Sequence, residues 1–201
     1  MNDRLDKQVN FLRELDKEKF IGRQTYLTDG VRKENDAEHA WHMAVAAILL
    51  SEYSNEKIDL AKTLSMILLH DVVEIDAGDT YAYDTEAKKT EAEREERAAR
   101  RIYGMLPEDQ ADKFYSLWRE FEERKTPEAR FARTLDNFQP LMLQDATKGK
   151  AWEEHGVESD KVYGRNSRSA EGSAALWDYA NHNFIKPWIE AGKLKGEFRE
   201  C

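Results

Sequence analysis

The chain of 201 residues is 40% hydrophobic and 35% charged, which suits one well-packed domain. Its 40 acidic and 31 basic residues give a net charge of −9, which argues against a nucleic-acid polymer as partner but permits a small anionic ligand in a locally positive pocket. The sequence shows no signal peptide, no apolar run of membrane-spanning length and no cysteine except Cys201, so it predicts a cytoplasmic protein with no membrane partner and no intrachain disulfide.

The first third of the chain predicts two helices joined by a loop. Apolar residues recur at helical spacing between residues 5 and 12, and the loop covers residues 22–33. The next helix begins with Asn35 or Asp36 as its cap. Residues 43–50 of this helix are apolar on nearly every face, which predicts that it is central in the fold.

The rest of the chain is also predicted to be helical, and no stretch shows the period-2 alternation of a β-strand. Thr126 and Ser173 have the position and chemistry of helix caps, and Gly104 follows the end of a very polar helix. The sequence therefore predicts an all-α fold, a single helical bundle. The predicted helical stretches are residues 59–74, 85–104, 114–121, 126–143 and 173–188.

Four ionisable side chains occur in or next to these apolar helices: His39, His70, Asp71 and Asp136. Burying such groups is costly unless they are paired or coordinated. Each could have a separate structural role, such as a helix start for His39 or a solvated face for Asp136. Taken together, two imidazoles and two carboxylates suit a borderline divalent cation and leave positions open for water and a substrate oxygen.

Glu74 follows His70 by four residues and Asp71 by three. A continuing helix would project all three side chains near one another. A carboxylate beside a metal site can orient or deprotonate the attacking water. The structural alternative is an exposed acid near the helix end.

These residues resemble, in type and order, the HD-domain superfamily of metal-dependent phosphohydrolases. The branch they resemble contains the bacterial 5′-deoxynucleotidases and HD-domain-containing protein 2. The resemblance covers about residues 5–145, and it predicts that residues 1–201 form a single HD domain in which about 146–201 are a C-terminal helical extension. It rests on the segments ENDAEHAWHMA, HDVVEIDAGDTYAYD, LPEDQADKFYSLWREFEE and ARTLDNFQPLMLQ.

The resemblance implies a role for each candidate residue. The two histidines and two aspartates would hold one divalent metal ion, which could be Mn, Co, Ni, Fe, Zn or Mg. Glu74 and Asp79 would be catalytic, because they would handle the proton of the attacking water and position that water. Arg23 would bind the substrate phosphate, with Arg32 and Lys33 as rivals in the same loop. A homodimer is also implied.

The chain departs from the family pattern at two places. No aromatic residue directly follows Arg23, since the text is Arg23-Gln24-Thr25-Tyr26, and this affects nucleoside selectivity more than phosphatase chemistry. The C-terminal segment GRNSRSAEGSAALWDYA resembles uncharacterised bacterial HD hydrolases. Its Arg165, Asn166 and Arg168 could reach the site, although the sequence favours a structural role for them.

The resulting expectation is a metal-dependent phosphatase that acts on a small phosphate monoester, with a 5′-deoxynucleoside monophosphate as the favoured substrate. One alternative is a hydrolase of another phosphorylated metabolite or of a nucleotide phosphodiester. A second alternative is a non-catalytic interaction module that a metal stabilises. The presence of Glu74 and Asp79 weighs against the module, since a structural ion needs no water-handling acid.

Overall fold

The structure, a computed structural model, describes residues 3–84 and 86–200, and most of them lie in α-helices. The all-α prediction is confirmed, with one small antiparallel hairpin as the addition. Three 3₁₀ segments cover Asp16–Phe20, Ser51–Tyr53 and His70–Val73, and a π-helical segment covers Asn181–Ile185. In chain order the elements are α1 Asp3–Leu15, β1 Gly22–Tyr26, β2 Lys33–Asn35, α2 Asp36–Leu50, α3 Leu60–Leu69, α4 Glu74–Ala77, α5 Lys88–Tyr103, α6 Glu108–Glu123, α7 Pro127–Ala146, α8 Lys150–Glu154, α9 Ser159–Asn166, α10 Ser169–Gly172, α11 Ala174–Ala180 and α12 Lys186–Glu190.

Helix α7 lies at the centre of the core and contacts α2, α3, α6, α10 and α11. Thr126 caps its start, as predicted, and Phe131 and Leu135 are fully buried. The helix continues through Pro140, which has no N–H to donate to the backbone carbonyl of Asp136 one turn earlier. The element that supplies a candidate metal ligand is therefore also the most enclosed helix of the bundle.

Helix α2 begins as predicted, since Asn35 caps it in a capping box with Glu38. The prediction that α2 is central is wrong. Met43 is fully buried, but Trp41 is 65% exposed and Leu49 is 66% exposed. Apolar residues cover both faces of this helix, but only one face packs on the core. The other face is apolar and exposed, so an apolar pattern on every side did not mean a central position.

The predicted helix 59–74 is interrupted at the residues that carry the candidate ligands. Helix α3 ends at Leu69, a 3₁₀ segment covers His70–Val73, and α4 begins at Glu74. In 3₁₀ geometry, side chains three positions apart lie on the same side. Asp71 and Glu74 therefore still face the same region, although the continuous α-helix expected for them is wrong.

The loop predicted for residues 22–33 contains strand β1, which pairs antiparallel with β2. The inward residues of the two strands are charged: Arg23 is 9% exposed and Glu34 is 2% exposed. Arg23 Nε lies 3.6 Å from Glu34 Oε1. An alternating apolar pattern is absent because this hairpin packs an ion pair, not a hydrophobic face, against the interior.

The C-terminal helices pack back onto α7. Thr134 Oγ1 donates a hydrogen bond to the backbone carbonyl of Ser169 at 2.7 Å, and Asn137 Nδ2 donates to Ser169 Oγ at 3.0 Å. Ser173 caps α11 as predicted, since its hydroxyl accepts from the Leu176 N–H at 3.1 Å. Among the described residues, no helix combines the length and apolarity needed to cross a membrane.

Candidate metal centre

The four candidate ligands come from three helical elements and meet beside α7. His39 lies in the first turns of α2, His70 and Asp71 open the 3₁₀ segment after α3, and Asp136 lies in the middle of α7. All four are buried, with exposed fractions of 9% or less. His70 Nε2 lies 3.0 Å from Asp71 Oδ1, and His39 Nε2 lies 4.0 Å from Asp71 Oδ2. Packing therefore brings together residues that are far apart in the chain.

Asp136 uses its two carboxylate oxygens differently. Oδ1 faces the imidazoles, 3.2 Å from His39 Nε2 and 3.8 Å from His70 Nε2. Oδ2 accepts a hydrogen bond from Arg133 at 2.9 Å and lies 3.8 Å from Arg165. Burial alone would raise the pKa of Asp136, but the two neighbouring histidines and the charges of Arg133 and Arg165 hold it well below its usual range. Asp136 is thus ionised at neutral pH.

The orientation of His39 is fixed by a chain of buried polar contacts. Gln139 Nε2 donates one hydrogen to Glu34 Oε2 at 2.8 Å and the other to His42 Nδ1 at 3.2 Å, so both hydrogens of this amide are used. Gln139 Oε1 must therefore accept from His39 Nδ1, at 2.9 Å. The lone pair of His39 is left on Nε2, which faces Asp136. His42 therefore supports the orientation of His39 through Gln139.

His70 has the same tautomer for a different reason. Its Nδ1 donates to the backbone carbonyl of Ile67 at 2.7 Å, so the neutral ring has its lone pair on Nε2, which is also where the charged ring carries its second proton. Nε2 is buried and lies 3.0 Å from Asp71 Oδ1, but among the described residues it has no well-aligned hydrogen-bond partner. Burial would lower the pKa of His70, but the charges of Asp71 and Asp136 raise it to about 10. A proton is stabilised at the atom that would bind a metal.

These donors fit a divalent ion. One ligand atom each from His39, His70 and Asp136 lies within 4.8 Å of the others. Two imidazole nitrogens with carboxylate oxygens are a donor set suited to Mn, Fe, Co, Ni or Zn. The orphaned Nε2 of His70 is a further sign that a cation belongs here. The prediction of an HD-type cluster that can hold a divalent metal is confirmed.

Asp71 also belongs to a second group of acids. Asp36, Asp71 and Glu74 offer carboxylate oxygens within 4.8 Å of one another. Burial, followed by the charges of Asp71 and Asp36, raises the pKa of Glu74 well above its usual value. Burial and Asp71 likewise raise the pKa of Asp36 to about 7. Sequence reasoning missed Asp36 as a site residue because its position also suits a helix cap.

Arg23 is the cation that this acidic group contacts. It donates to Asp71 Oδ2 at 2.7 Å and lies 3.3 Å from Asp36 Oδ1. Its rivals point elsewhere: Arg32 forms two hydrogen bonds with Glu38, at 2.6 and 2.8 Å, and Lys33 does not line the cavity. Of the three cations considered from the sequence, only Arg23 lies at the candidate metal centre.

Asp79 reaches the same cavity from the loop after α4. Gly78 ends that helix with φ of 75°, a backbone conformation that favours glycine, and so turns the chain toward Asp79. Arg94 holds this loop, because it donates to the Ala77 carbonyl and to Thr80 Oγ1 at 2.7 Å. Burial raises the pKa of Asp79, while the charge of Arg23 opposes the rise.

The candidate residues share a cavity of about 380 Å³. Glu74 and Asp79 line it, and Glu74 is 9% exposed, so the alternative of an exposed acid is wrong for Glu74. Arg165 also lines it, whereas the sequence favoured a structural role for this residue. Arg168 does have the structural role, since it pairs with Glu171 at 2.8 Å outside the cavity. Aromatic lining that sequence reasoning missed comes from Tyr81 and Tyr83.

A family model described as "HD domain" matches residues 15–177. The chain belongs to the HD-domain family. The match includes all the candidate ligands and extends past residue 145, into the segment that the sequence resemblance left outside the family-like core. Within this HD domain, the His70–Asp71 doublet lies at the start of the 3₁₀ segment His70–Val73.

The HD-domain chain is similar to curated relatives and to a solved structure. The 5′-deoxynucleotidase HDDC2 of Homo sapiens is 30% identical over 135 residues, which are 67% of this chain and 65% of the relative. The 5′-deoxynucleotidase hdd1 of Schizosaccharomyces pombe is 29% identical over 66% of this chain and 68% of its own. A crystal structure titled as a predicted metal-dependent phosphohydrolase from Magnetospirillum magnetotacticum MS-1 is 45% identical, with a TM-score of 0.91 over 96% of this chain and 97% of that one. The alignment thus spans slightly less than two thirds of the human relative.

Proposed function

We propose that the protein is a metal-dependent phosphohydrolase that releases phosphate from small phosphate monoesters. The observation that carries the proposal is the convergence of His39 Nε2, His70 Nε2 and an Asp136 oxygen beside two water-handling acids in one polar cavity. The names of the relatives, 5′-deoxynucleotidases and a predicted metal-dependent phosphohydrolase, support the same class.

The two histidines with Asp71 and Asp136 would hold one divalent ion. When bound, that ion would lower the pKa of a water and polarise a phosphoryl oxygen. Glu74 has a raised pKa and lies in reach of this region, so it is suited to take and return a proton. Asp79 orients the water, and Arg23 neutralises phosphate charge by donating to its oxygens.

A 5′-deoxynucleoside monophosphate is the substrate that the relatives' names favour. Gln24 and Thr25 line the cavity after Arg23, where the family resemblance led us to expect an aromatic residue. Tyr81 and Tyr83 supply aromatic surface to the same cavity and form an edge contact with each other at 5.3 Å between ring centroids. A nucleobase can stack on such a surface.

The decisive experiment is phosphate release by metal-stripped protein, with each divalent metal added back singly. Nucleotides and sugar phosphates form the substrate panel. The stripped protein should be inactive and should regain turnover with at least one of Mn, Co or Ni. If no ester is hydrolysed with any metal, the protein is better described as an interaction module that a metal stabilises.

Sugar selectivity is tested with matched nucleotides. At equal concentration, dAMP and dUMP should be hydrolysed faster than AMP and UMP. Equal rates would remove the deoxynucleotidase assignment and leave the phosphohydrolase.

A homodimer is the assembly we propose, and the exposed face of α2 supports it. Trp41, Val45, Ile48 and Leu49 recur at helical spacing on this face, and Ile48 is 56% exposed. Exposed apolar stripes of this kind mark protein–protein contacts. Light scattering should give twice the mass of 23.4 kDa, and Ile48→Lys should reduce it to the single value. A monomeric parent protein would contradict the assignment.

A cytoplasmic location and a single domain over residues 1–201 stay predictions.

A further inference from the structure

The cavity has a second group of cations, on the side of Asp136 that faces away from the histidines. Arg133 and Arg165 approach Asp136 Oδ2, and Arg124 and Lys88 line the cavity beyond them. Arg23 is separate from this group, because its guanidinium is engaged by Asp36 and Asp71 on the other side of the ligands. A single phosphate held at the metal does not account for so many cations.

Two of these cations have no side-chain partner among the residues that the structure describes. Within the described part of the chain, neither Arg124 nor Lys88 forms a side-chain hydrogen bond or an ion pair, whereas Arg133 is held by Asp136 at 2.9 Å. Burial and the charge of Arg133 lower the pKa of Arg124 to about 10, so the opposing charges of Glu122 and Asp136 do not fully offset the burial of this guanidinium. An incoming anion would supply the missing compensation.

The acids in the same part of the cavity do not fully cancel this charge. The charge of Glu91 raises the pKa of Lys88, but burial and the charge of Arg165 outweigh it and leave that pKa below its usual value. Glu122 is 3.5 Å from Arg133 and is thereby engaged. Glu95 lies deeper, and burial together with the charge of Glu122 raises its pKa to about 8. This shift favours the neutral Glu95 carboxyl, which can donate a hydrogen bond to an anion, whereas the carboxylate would repel it.

Buried acceptors in the cavity indicate that the ligand is larger than a phosphate group. Asn166 is 1% exposed and lines the cavity, and its Nδ2 donates to the Val162 carbonyl at 2.8 Å. Its Oδ1 has no partner among the described residues, and Gln144 Oε1 on the same lining is likewise unpartnered. A hydroxyl or N–H of the ligand body would satisfy these oxygens.

We propose that Lys88, Arg124 and Arg165 form a second anion-binding subsite, so that the preferred phosphate monoester carries another phosphate or carboxylate. The inference rests on the proposed phosphohydrolase function and narrows its substrate class. The cleaved phosphate lies at the metal and Arg23, and the second anion lies at the subsite. Guanidinium groups favour bidentate contacts with both kinds of anion.

The test compares ligands that differ in one anionic group. Phosphonoalkanoates of three to six carbons are titrated into metal-loaded protein by calorimetry, each against the alkylphosphonate of equal length. The carboxylate should strengthen binding about tenfold or more at one chain length at least. This advantage should fall about tenfold in Arg124→Gln and in Lys88→Gln. Lys89→Gln and Arg168→Gln are matched controls that remove a neighbouring cation outside the cavity, and both should retain the advantage.

A turnover arm identifies the anion and separates the two proposals. Deoxyadenosine 3′,5′-bisphosphate is compared with dAMP, and 3-phosphoglycerate with glycerol 3-phosphate, by kcat/KM in parent and variants. If no chain length shows a carboxylate advantage and neither pair shows a preference, or if Arg124→Gln and Lys88→Gln retain the preference, the subsite is wrong. If the phosphonate advantage is present and depends on Arg124 while no ester is hydrolysed, the subsite stands and the proposed function falls.

Discussion

Two sides of the same cavity are built by different parts of the fold. The side with the histidines and Asp71 comes from α2 and from the 3₁₀ segment that follows α3, and both α2 and α3 pack against α7. The cations proposed to meet phosphate and other anions come from segments outside this core, namely the hairpin, the end of α6 and α9, which supply Arg23, Arg124 and Arg165. Metal binding therefore depends on the core of the bundle, whereas charge recognition depends on segments added around it.

The largest effect should follow from removing a proposed ligand on the core side. In Asp71→Ala, the protein loses a carboxylate 3.0 Å from His70 Nε2 and the main partner of Arg23. Bound metal and activity should be lost together, as measured by elemental analysis and kcat. Asp76→Ala changes an exposed acid five positions away and should preserve both. A fully metallated, active Asp71→Ala protein would contradict the ligand assignment.

Glu74→Gln should separate catalysis from metal binding on that side. Gln keeps the size of Glu but cannot take a proton, so kcat should fall by roughly 10²–10⁴ while the metal is retained. Circular dichroism confirms folding beside the metal analysis. Near-full kcat would transfer the proton-handling role to Asp79, and loss of metal would make Glu74 a ligand.

A smaller effect should follow from changing the anion side. Arg23→Ala removes a guanidinium that is aimed at the acids of the site, so KM for a monophosphate should rise about ten- to hundredfold. The fold-change in metal content per protein should be smaller than the fold-change in KM. Arg32→Ala removes a cation of the same hairpin that pairs with Glu38 outside the cavity, and its KM should match the parent value. An unchanged KM in Arg23→Ala would exclude Arg23 as the phosphate ligand.

The mildest effect, counted for one pH unit, is the pH dependence of metal binding. Without metal, neighbouring acids raise the pKa of His70 to about 10, so that its Nε2 is protonated at neutral pH. A metal must displace this proton, and metal affinity should therefore rise with pH by about tenfold per unit for each proton released. Calorimetry in buffers of different ionisation enthalpy measures that release. Affinity independent of pH between 6 and 8 would contradict the assigned protonation.

The two sides also differ in how far the sequence predicts them. His39, the His70–Asp71 doublet and Asp136 stand out because ionisable groups follow or interrupt apolar helical runs. That these four side chains come together follows only from the packing of the other helices on α7, which the sequence does not give. Arg23 was predicted only through the family resemblance, because nothing local distinguishes it from Arg32.

Other features had no usable sequence signal. The hairpin escaped prediction because its inward residues, Arg23 and Glu34, form an ion pair and leave no apolar alternation. Arg165 could not be assigned to the cavity because α9 lies some thirty residues beyond Asp136, and only packing decides which way it faces. The role of Asp36 could not be decided from the sequence, since aspartate is common both at a helix start and in a cluster of carboxylates.

Pro140 gives the metal centre a mechanical property that its list of ligands does not convey. It leaves the Asp136 carbonyl without its helical donor, so that α7 lacks one backbone hydrogen bond at the turn that carries the proposed ligand. The buried residues on both flanks of this turn are held by the core. Helix α7 should therefore bend most easily where a carboxylate must adjust to cations of different radius. Tolerance of several metals would then come from the backbone, without any change of ligand.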